Sequence, residues 1–347
     1  MARLILDSIA KSFNNDNVVK NLSLTIEPGE FVALLGPSGC GKSTILRMLA
    51  GFEHVSAGKI IHGTECISST EKHVPTEDRN FGMVFQSYAL WPHMTVKDNV
   101  GYPLKIQKTQ QTERNKRIKE ALAIVQLEDY ADRLPTQLSG GQRQRVALAR
   151  SLVTEPDIVL FDEPLANLDR HLRATMEETF RAFHKRTRAT IVYVTHDQSE
   201  AMSLADKIAV LNKGELVQWG TPQVLYATPR NTWLAKFIGK GSVLSVAAVA
   251  SQKYINSTTI HKLIQQHSPK TVCSSVLIRP QDIRLVGAAP HALSVAVHSC
   301  TFRGERYDIE LTLKDGQRLL AYSDVPMMLA SEHHIHIVQA WTLETES

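Results

Sequence analysis

One stretch constrains the fold of this 347-residue chain more than any other. Phe31-Val32-Ala33-Leu34-Leu35 is a continuous apolar run, the pattern of a strand buried on both faces. It leads straight into Gly36-Pro37-Ser38-Gly39-Cys40-Gly41-Lys42-Ser43-Thr44, which fits G-x-x-x-x-G-K-[ST]. A helix is then predicted over 44–50, closed by Gly51. Each part has a physical reason. The glycines let the backbone wrap an anion with its N–H groups turned inward. The helix adds the positive end of its dipole. Lys42 supplies a point charge for β- and γ-phosphates, and the Ser43 hydroxyl suits a Mg²⁺ ligand. Cys40 reads as a small filler, although a helix N-terminus lowers a thiol's pKa and would leave it open to thiol reagents.

A second glycine-rich helix entry follows at Leu138-Ser139-Gly140-Gly141-Gln142, with Ser139 97 residues beyond Lys42. The helix it opens runs through Arg143 to Arg150. About 20 residues beyond Ser139, Ile158-Val159-Leu160-Phe161 is another buried-strand run, ending in Asp162-Glu163-Pro164. A third such run is Ile191-Val192-Tyr193-Val194, followed by His196. Between these two runs a helix carries Leu172, Met176, Phe180 and Phe183 on one face, which reads as core. Apolar strands alternating with helices imply a parallel sheet covered by helices. Earlier, Leu22, Leu24 and Ile26 alternate at strand period and Glu27-Pro28-Gly29-Glu30 reads as a turn. Residues 112–127 read as a helix through Ile118, Ala121, Leu122 and Val125. The segment from Lys105 to Glu120 holds six basic and two acidic residues and reads as a solvated face.

Beyond Phe237 the helical period fades. Short β-type runs appear at 275–278, 294–297, 309–313 and 335–338, the pattern of a small all-β module. A cluster of His333, His334 and His336 lies there, but on a strand only His334 and His336 share a face, so no metal site is expected. The four cysteines (Cys40, Cys66, Cys273, Cys300) form no C-x-x-C pair and read as reduced thiols. Lys+Arg number 39 against 35 Asp+Glu, so the net charge is only +4, and aromatics are 6%. A charge of +4 spread over this length does not make a nucleic-acid binder, since such domains concentrate positive charge on one face, so no nucleic acid is expected as a partner. The longest weakly polar run, 242–250, is far short of the roughly 20 residues of a spanning helix.

With these motifs in place, the chain resembles the ATP-binding subunit of an ATP-binding-cassette (ABC) importer over about residues 1–237. Gly36 to Thr44 match the Walker A loop, Gln86 the Q-loop, Leu138 to Gln142 the family signature, and Asp162 and Glu163 the end of Walker B. Asp169 matches the D-loop and His196 the switch histidine. Phe13 sits where the family places an aromatic that stacks on adenine, although Trp or Tyr is more usual there. The tail, with Ile278-Arg279-Pro280-Gln281-Asp282, resembles the small β domain of importer ATPases. The fold implied is a P-loop NTPase ABC cassette. It has a parallel sheet core and an inserted helical subdomain at about 87–155, and ends in a small all-β, OB-like domain at 238–347 that regulates or supports a dimer.

The resemblance implies ATP and Mg²⁺. Asp162 is suited to hold Mg²⁺ through water, with Ser43 and Gln86 completing the shell. Glu163 is placed to polarise the attacking water, and His196 to hold it in line with the γ-phosphate. Ser139, Gly140, Gly141 and Gln142 are implied to bind the ATP of a second copy, packed head to tail. The further partners implied are integral-membrane permease subunits and, indirectly, a solute-binding protein. That places the chain on the cytoplasmic face of the inner membrane as a peripheral subunit. The segment Ser87 to Val96 is the candidate grip on the permease through Leu90 and Trp91, which also fit a core role. The runs Phe237 to Gly241 and Val276 to Pro280 look most like ferric-iron importers. Phosphonate, polyamine, sulfate and sugar importers share nearly everything else. Two rivals remain. One is a soluble ABC ATPase working on DNA or ribosomes, disfavoured by the short spacing of the phosphate motifs and the single cassette. The other is a regulatory module whose β tail senses a ligand.

Overall fold

Strands whose residues are apolar throughout end up in the middle of the sheet. The computed structural model describes residues 2–14, 16–166, 168–247, 253–266, 273–287 and 292–344. In chain order the first elements are β1 (Leu4–Phe13), β2 (Asp16–Ile26), β3 (Phe31–Leu35), α1 (Lys42–Ala50), β4 (Ala57–His62), β5 (Glu65–Ser68) and β6 (Phe81–Val84). Then come α2 (Val96–Ile106), α3 (Gln111–Ile124), α4 (Gly140–Leu152), β7 (Ile158–Asp162), α5 (Arg170–Thr187), β8 (Thr190–Thr195), α6 (Gln198–Leu204), β9 (Lys207–Asn212) and β10 (Glu215–Gly220). A six-stranded sheet has the order β10-β9-β3-β8-β7-β6. Its five inner-to-edge strands from β9 to β6 are parallel, and β10 is antiparallel to β9. A second, antiparallel sheet has the order β2-β1-β4-β5.

The strand period decides which face each residue serves. Val32, Leu34, Ile158, Leu160, Val192 and Val194 join Ile45, Leu46 and Leu49 of α1 and Leu4, Leu6 and Leu24 of the antiparallel sheet in one core. Phe161 and Tyr193 turn to the other face and meet Phe180 of α5 at ring distances of 5.1 and 6.1 Å. Met176, Phe180 and Phe183 are buried as their spacing predicts, whereas Leu172 is half-buried. The helices α2, α3 and α4 pack on one another. Gly101 lets α2 approach α3 closely, since a Cβ there would stand 2.5 Å from Ile118 Cδ1.

The chain forms two compact units, Met1–Pro222 and Gln223–Ser347. The division falls before the boundary expected near 237, because α7 (Pro222–Ala227) and α8 (Thr232–Phe237) intervene. The second unit continues with β11 (Ser242–Ala247), β12 (Tyr254–Asn256), α9 (Ser257–Gln265), β13 (Cys273–Ile278), β14 (Ile283–Val286) and β15 (Leu293–Phe302). It ends with β16 (Tyr307–Leu313), β17 (Arg318–Ser323), β18 (Glu332–Ile337) and β19 (Gln339–Thr342). These strands make two antiparallel sheets, β11-β13-β19-β12 and β14-β18-β15-β16-β17. Ile260 and Ile264 of α9 share their core, and sequence period did not announce this helix. Arg279 is buried there, stacks on Tyr226 at 4.0 Å, and donates to the carbonyls of Tyr226, Ile238 and Lys240. His336 Nε2 lies 2.7 Å from Ser257 Oγ and His333 Nε2 2.9 Å from Ser331 Oγ. Among the described residues no group of three or more His, Cys, Asp or Glu side chains is placed to hold a metal. Among them, too, no helix is long and apolar enough to cross a membrane.

Candidate functional site

The glycine-rich loop hangs between β3 and α1. Gly41 caps α1 with φ 100°, in the left-handed region, and a Cβ there would stand 2.8 Å from the Val18 carbonyl. At Gly36 a Cβ would meet the Leu211 carbonyl at 2.3 Å. Both positions therefore require glycine. Lys42 is 5% exposed, and its Nζ donates to the carbonyls of Gly36 (2.8 Å) and Pro37 (3.0 Å). The loop is held in a ring by the lysine that is suited to grip phosphate. Cys40 is buried, as the small filler it was read to be. Burial pushes its thiol above the usual range and outweighs the opposing charge of Lys42, so the helix end does not activate it. The far end of α1 is clamped by Arg79, whose guanidinium donates to the carbonyls of Met48, Leu49, Val74 and Ile67.

Three parallel strands deliver polar groups to the edge where that loop lies, as parallel sheets do at their C-terminal ends. Asp162 ends β7, and Ser43 Oγ donates to its Oδ1 over 3.3 Å. Burial raises the Asp162 carboxyl above its ordinary range, the Ser43 hydrogen bond opposes this, and the neighbouring Glu163 charge adds to it. Glu163 turns away from Asp162 through a left-handed backbone (φ 43°), with its N–H on the Val194 carbonyl at 3.1 Å. Its Oε2 lies 3.1 Å from Nδ1 of His196, which follows β8. Asp169 caps α5 by accepting from the Leu172 N–H at 2.9 Å. Gln86 stands exposed beyond β6, and among the described residues no hydrogen bond joins it to Ser43 or Asp162.

The second glycine entry is also a built helix start. Ser139 caps α4, accepting from the Gln142 N–H, while Gln142 Oε1 accepts from the Ser139 N–H at 2.8 Å. This capping box uses the serine oxygen as acceptor and leaves its proton free to donate outward. Ser139 is exposed. Its helix packs against α2, α3 and β6, whereas α1 packs against β2, β7 and β8.

Residues 19–166 match the family model described as ABC transporter, and residues 276–333 match the TOBE domain. The Fe(3+) ions import ATP-binding protein FbpC of Escherichia coli O157:H7 is 41% identical over 315 residues, 91% of this chain and 88% of its own length. The spermidine/putrescine import ATP-binding protein PotA of Mannheimia succiniciproducens is 38% identical over 329 residues, 92% of this chain and 87% of its own. The FbpC of Vibrio cholerae is 38% identical over 336 residues, 96% of this chain and 95% of its own. The chain belongs to the ATP-binding subunits of ABC importers. It is an ABC-type ATPase with a C-terminal TOBE-class β domain.

In this ABC subunit, Phe13 ends β1 opposite Asp16, on the hairpin whose second strand touches Gly41 at Val18 and Val19. It is 41% exposed with Lys11 Nζ 4.6 Å over its ring. Leu90 and Trp91 are half-buried. Trp91 packs on Tyr102 at 4.3 Å and beneath the Arg150 guanidinium at 5.1 Å. Arg150, at the end of the signature helix, also donates to the carbonyls of Tyr88 and Ala89, which both hold positive φ. The sequence reading missed Arg150, Arg173 and Glu200. Glu200 sits in the first turn of α6, and its partners Tyr193 and Thr195 lie on the preceding strand.

Proposed function

We propose that two copies of this ABC subunit close head to tail over ATP and Mg²⁺, hydrolyse the ATP, and drive ferric iron through a membrane permease fed by a solute-binding protein. The observation that carries the dimer is the separation of the two phosphate-binding helices. Exposed Ser139 and buried Lys42 sit on helices with different packing partners, which supports a second copy completing each site. In this reading Gly36, Pro37, Ser38, Gly39, Cys40, Gly41, Lys42, Ser43 and Thr44 cradle the phosphates. Phe13 stacks on the base, and Ser139, Gly140, Gly141 and Gln142 meet the γ-phosphate bound by the partner copy. The Ser43 hydroxyl and Asp162 carboxylate converge as hard oxygen donors, which fits Mg²⁺, and Gln86 joins them. When bound, Mg²⁺ supplies charge neutralisation at the β- and γ-phosphates. Glu163 accepts the proton of the attacking water. His196 keeps Glu163 and the water aligned, and Asp169 orders the turn between them and the partner copy. Within one chain the second unit, Gln223–Ser347, carries the β domain that regulates or steadies the dimer. Size-exclusion chromatography of Glu163→Gln with ATP tests the pairing, and a species that stays monomeric refutes it.

A groove of about 490 Å³ lies against the loop after Gln86, lined by Phe85, Ala89, Trp91, Pro103, Gln107 and Arg150. An amphipathic permease helix fits such a groove. It sits between the loop that starts at Gln86 and the helix that starts at Ser139, so nucleotide contacts at either point reach it. That contact makes the chain peripheral to the cytoplasmic face of the inner membrane. Iron is supported by the FbpC relative that is 41% identical over 91% of the chain, against 38% over 92% for the PotA relative. Polyamine is the second reading, favoured by the PotA relative. ATPase of the reconstituted permease complex decides between them. Stimulation by binding protein carrying Fe³⁺, and not by one carrying spermidine or putrescine, supports iron, and the reverse pattern overturns it.

A further inference from the structure

The first turn of α5 touches three parts of the site at once. Asp169 caps it, and Arg173 Nη2 donates to the Leu168 carbonyl at 3.3 Å. Leu172 lies under the signature helix, where a Cβ on Gly141 would stand 2.6 Å from Leu172 Cδ1. On its other side Arg173 Nη1 donates to Asp197 Oδ2 at 2.9 Å, and its Nε lies 3.6 Å from Glu200 Oε1. Glu200 is 3% exposed. Its Oε2 accepts from the Tyr193 hydroxyl (2.9 Å) and from Thr195 Oγ1 (2.7 Å), and Thr195 Oγ1 accepts from the Asp197 N–H (3.0 Å).

His196 stands in the middle of this bracket. Thr195 before it is fixed through Glu200, and Asp197 after it through Arg173. The imidazole itself is 56% exposed and meets Glu163. Its aim therefore depends on how its two neighbours are held. We propose that Arg173 is a positioning residue: through Asp197 and Glu200 it ties the orientation of His196 against Glu163 to the Asp169 turn and the signature glycines. A planar guanidinium suits this task because its fork fixes direction as well as distance. Among the described residues Arg173 Nε is buried without a hydrogen bond, 3.6 Å from Glu200 Oε1. That unmade bond marks where a small shift of the α5 turn alters the bracket.

The inference rests on the role given to His196 above, and the test separates the two. Single-turnover ATP hydrolysis by the full-length chain is measured for Arg173→Ala, His196→Ala and the double variant, with ATP affinity measured alongside. Arg173→Ala is expected to slow hydrolysis about 10- to 100-fold, the scale of a small misplacement in a catalytic site, with wild-type ATP affinity. Arg173→Lys recovers part of the rate. In the His196→Ala background, Arg173→Ala causes no further loss, because both act through the same group. Asp197→Asn keeps the α6 cap and removes the charged acceptor, so it reproduces Arg173→Ala even where the alanine variant folds poorly. Losses that multiply in the double variant, or a fall in ATP affinity that accounts for the slower rate, overturn the coupling while leaving His196 in place. Wild-type hydrolysis in His196→Ala overturns the role of His196 and the coupling with it.

Discussion

Glu163→Gln separates chemistry from binding. The amide has the shape of the carboxylate, and its oxygen still accepts from His196 across the 3.1 Å contact. What disappears is the group able to take a proton from water. A positioned general base contributes about 10²- to 10⁴-fold, or about 3–5 kcal/mol of barrier. Binding should not weaken. The Glu163 charge is one of the causes that raise the Asp162 carboxyl, so its removal favours ionised Asp162 and the metal–nucleotide complex. Single-turnover hydrolysis of radiolabelled ATP reads the rate, and titration with a fluorescent ATP analogue reads affinity. The expected result is a collapse of the rate at unchanged affinity, with ATP-bound dimer accumulating. Wild-type turnover in this variant refutes the assignment of the base.

Lys42→Ala removes the buried cation of the loop and the two bonds that hold its ring, and nucleotide titration should show no saturable binding. Phe180→Ala empties the space between Phe161 and Tyr193 and should cost about 3–5 kcal/mol, seen as an earlier urea transition of the cassette. Burial holds His73 below its ordinary pKa of 6.5, helped by stacked His54 and nearby Arg79. Its contribution to stability is complete above pH 6.5 and is lost as pH falls through the lower folded value. Melting curves of His73→Gln should therefore lose part of the wild type's decline on acidification, and an identical decline refutes this. Ala89→Asp places a charge in the groove after Gln86 at an exposed, positive-φ position that aspartate tolerates. Permease should then fail to co-purify while ATP binding persists.

The central strands were legible because burial on both faces leaves no polar residue to interrupt Phe31 to Leu35 or Ile158 to Phe161. The antiparallel sheet was harder. Register shifts in β1 between Leu6 and Ile9 and again up to Ser12 break the strict alternation that marks a strand. Helix α9 hides in the tail for a similar reason: only Ile260, His261 and Ile264 are buried in nine residues. At the site, contiguous motifs were readable and assembled networks were not. Arg173 meets Asp197 and Glu200 across more than twenty positions, and Arg79 meets Met48 across thirty-one. Nothing local distinguishes such an arginine from one on a solvated face. At Cys40 the reading as a small filler agreed with the structure, where burial outweighs the activating cue of a helix end.

The ring that Lys42 closes with the Gly36 and Pro37 carbonyls has a consequence for selectivity. Because the ammonium already has partners, an anion gains from it only by offering better ones in the right place. A nucleotide's phosphate chain can occupy the backbone N–H groups and replace both carbonyls at once. Detaching the lysine is thus a cost that a multidentate phosphate chain offsets more fully than a single small anion does.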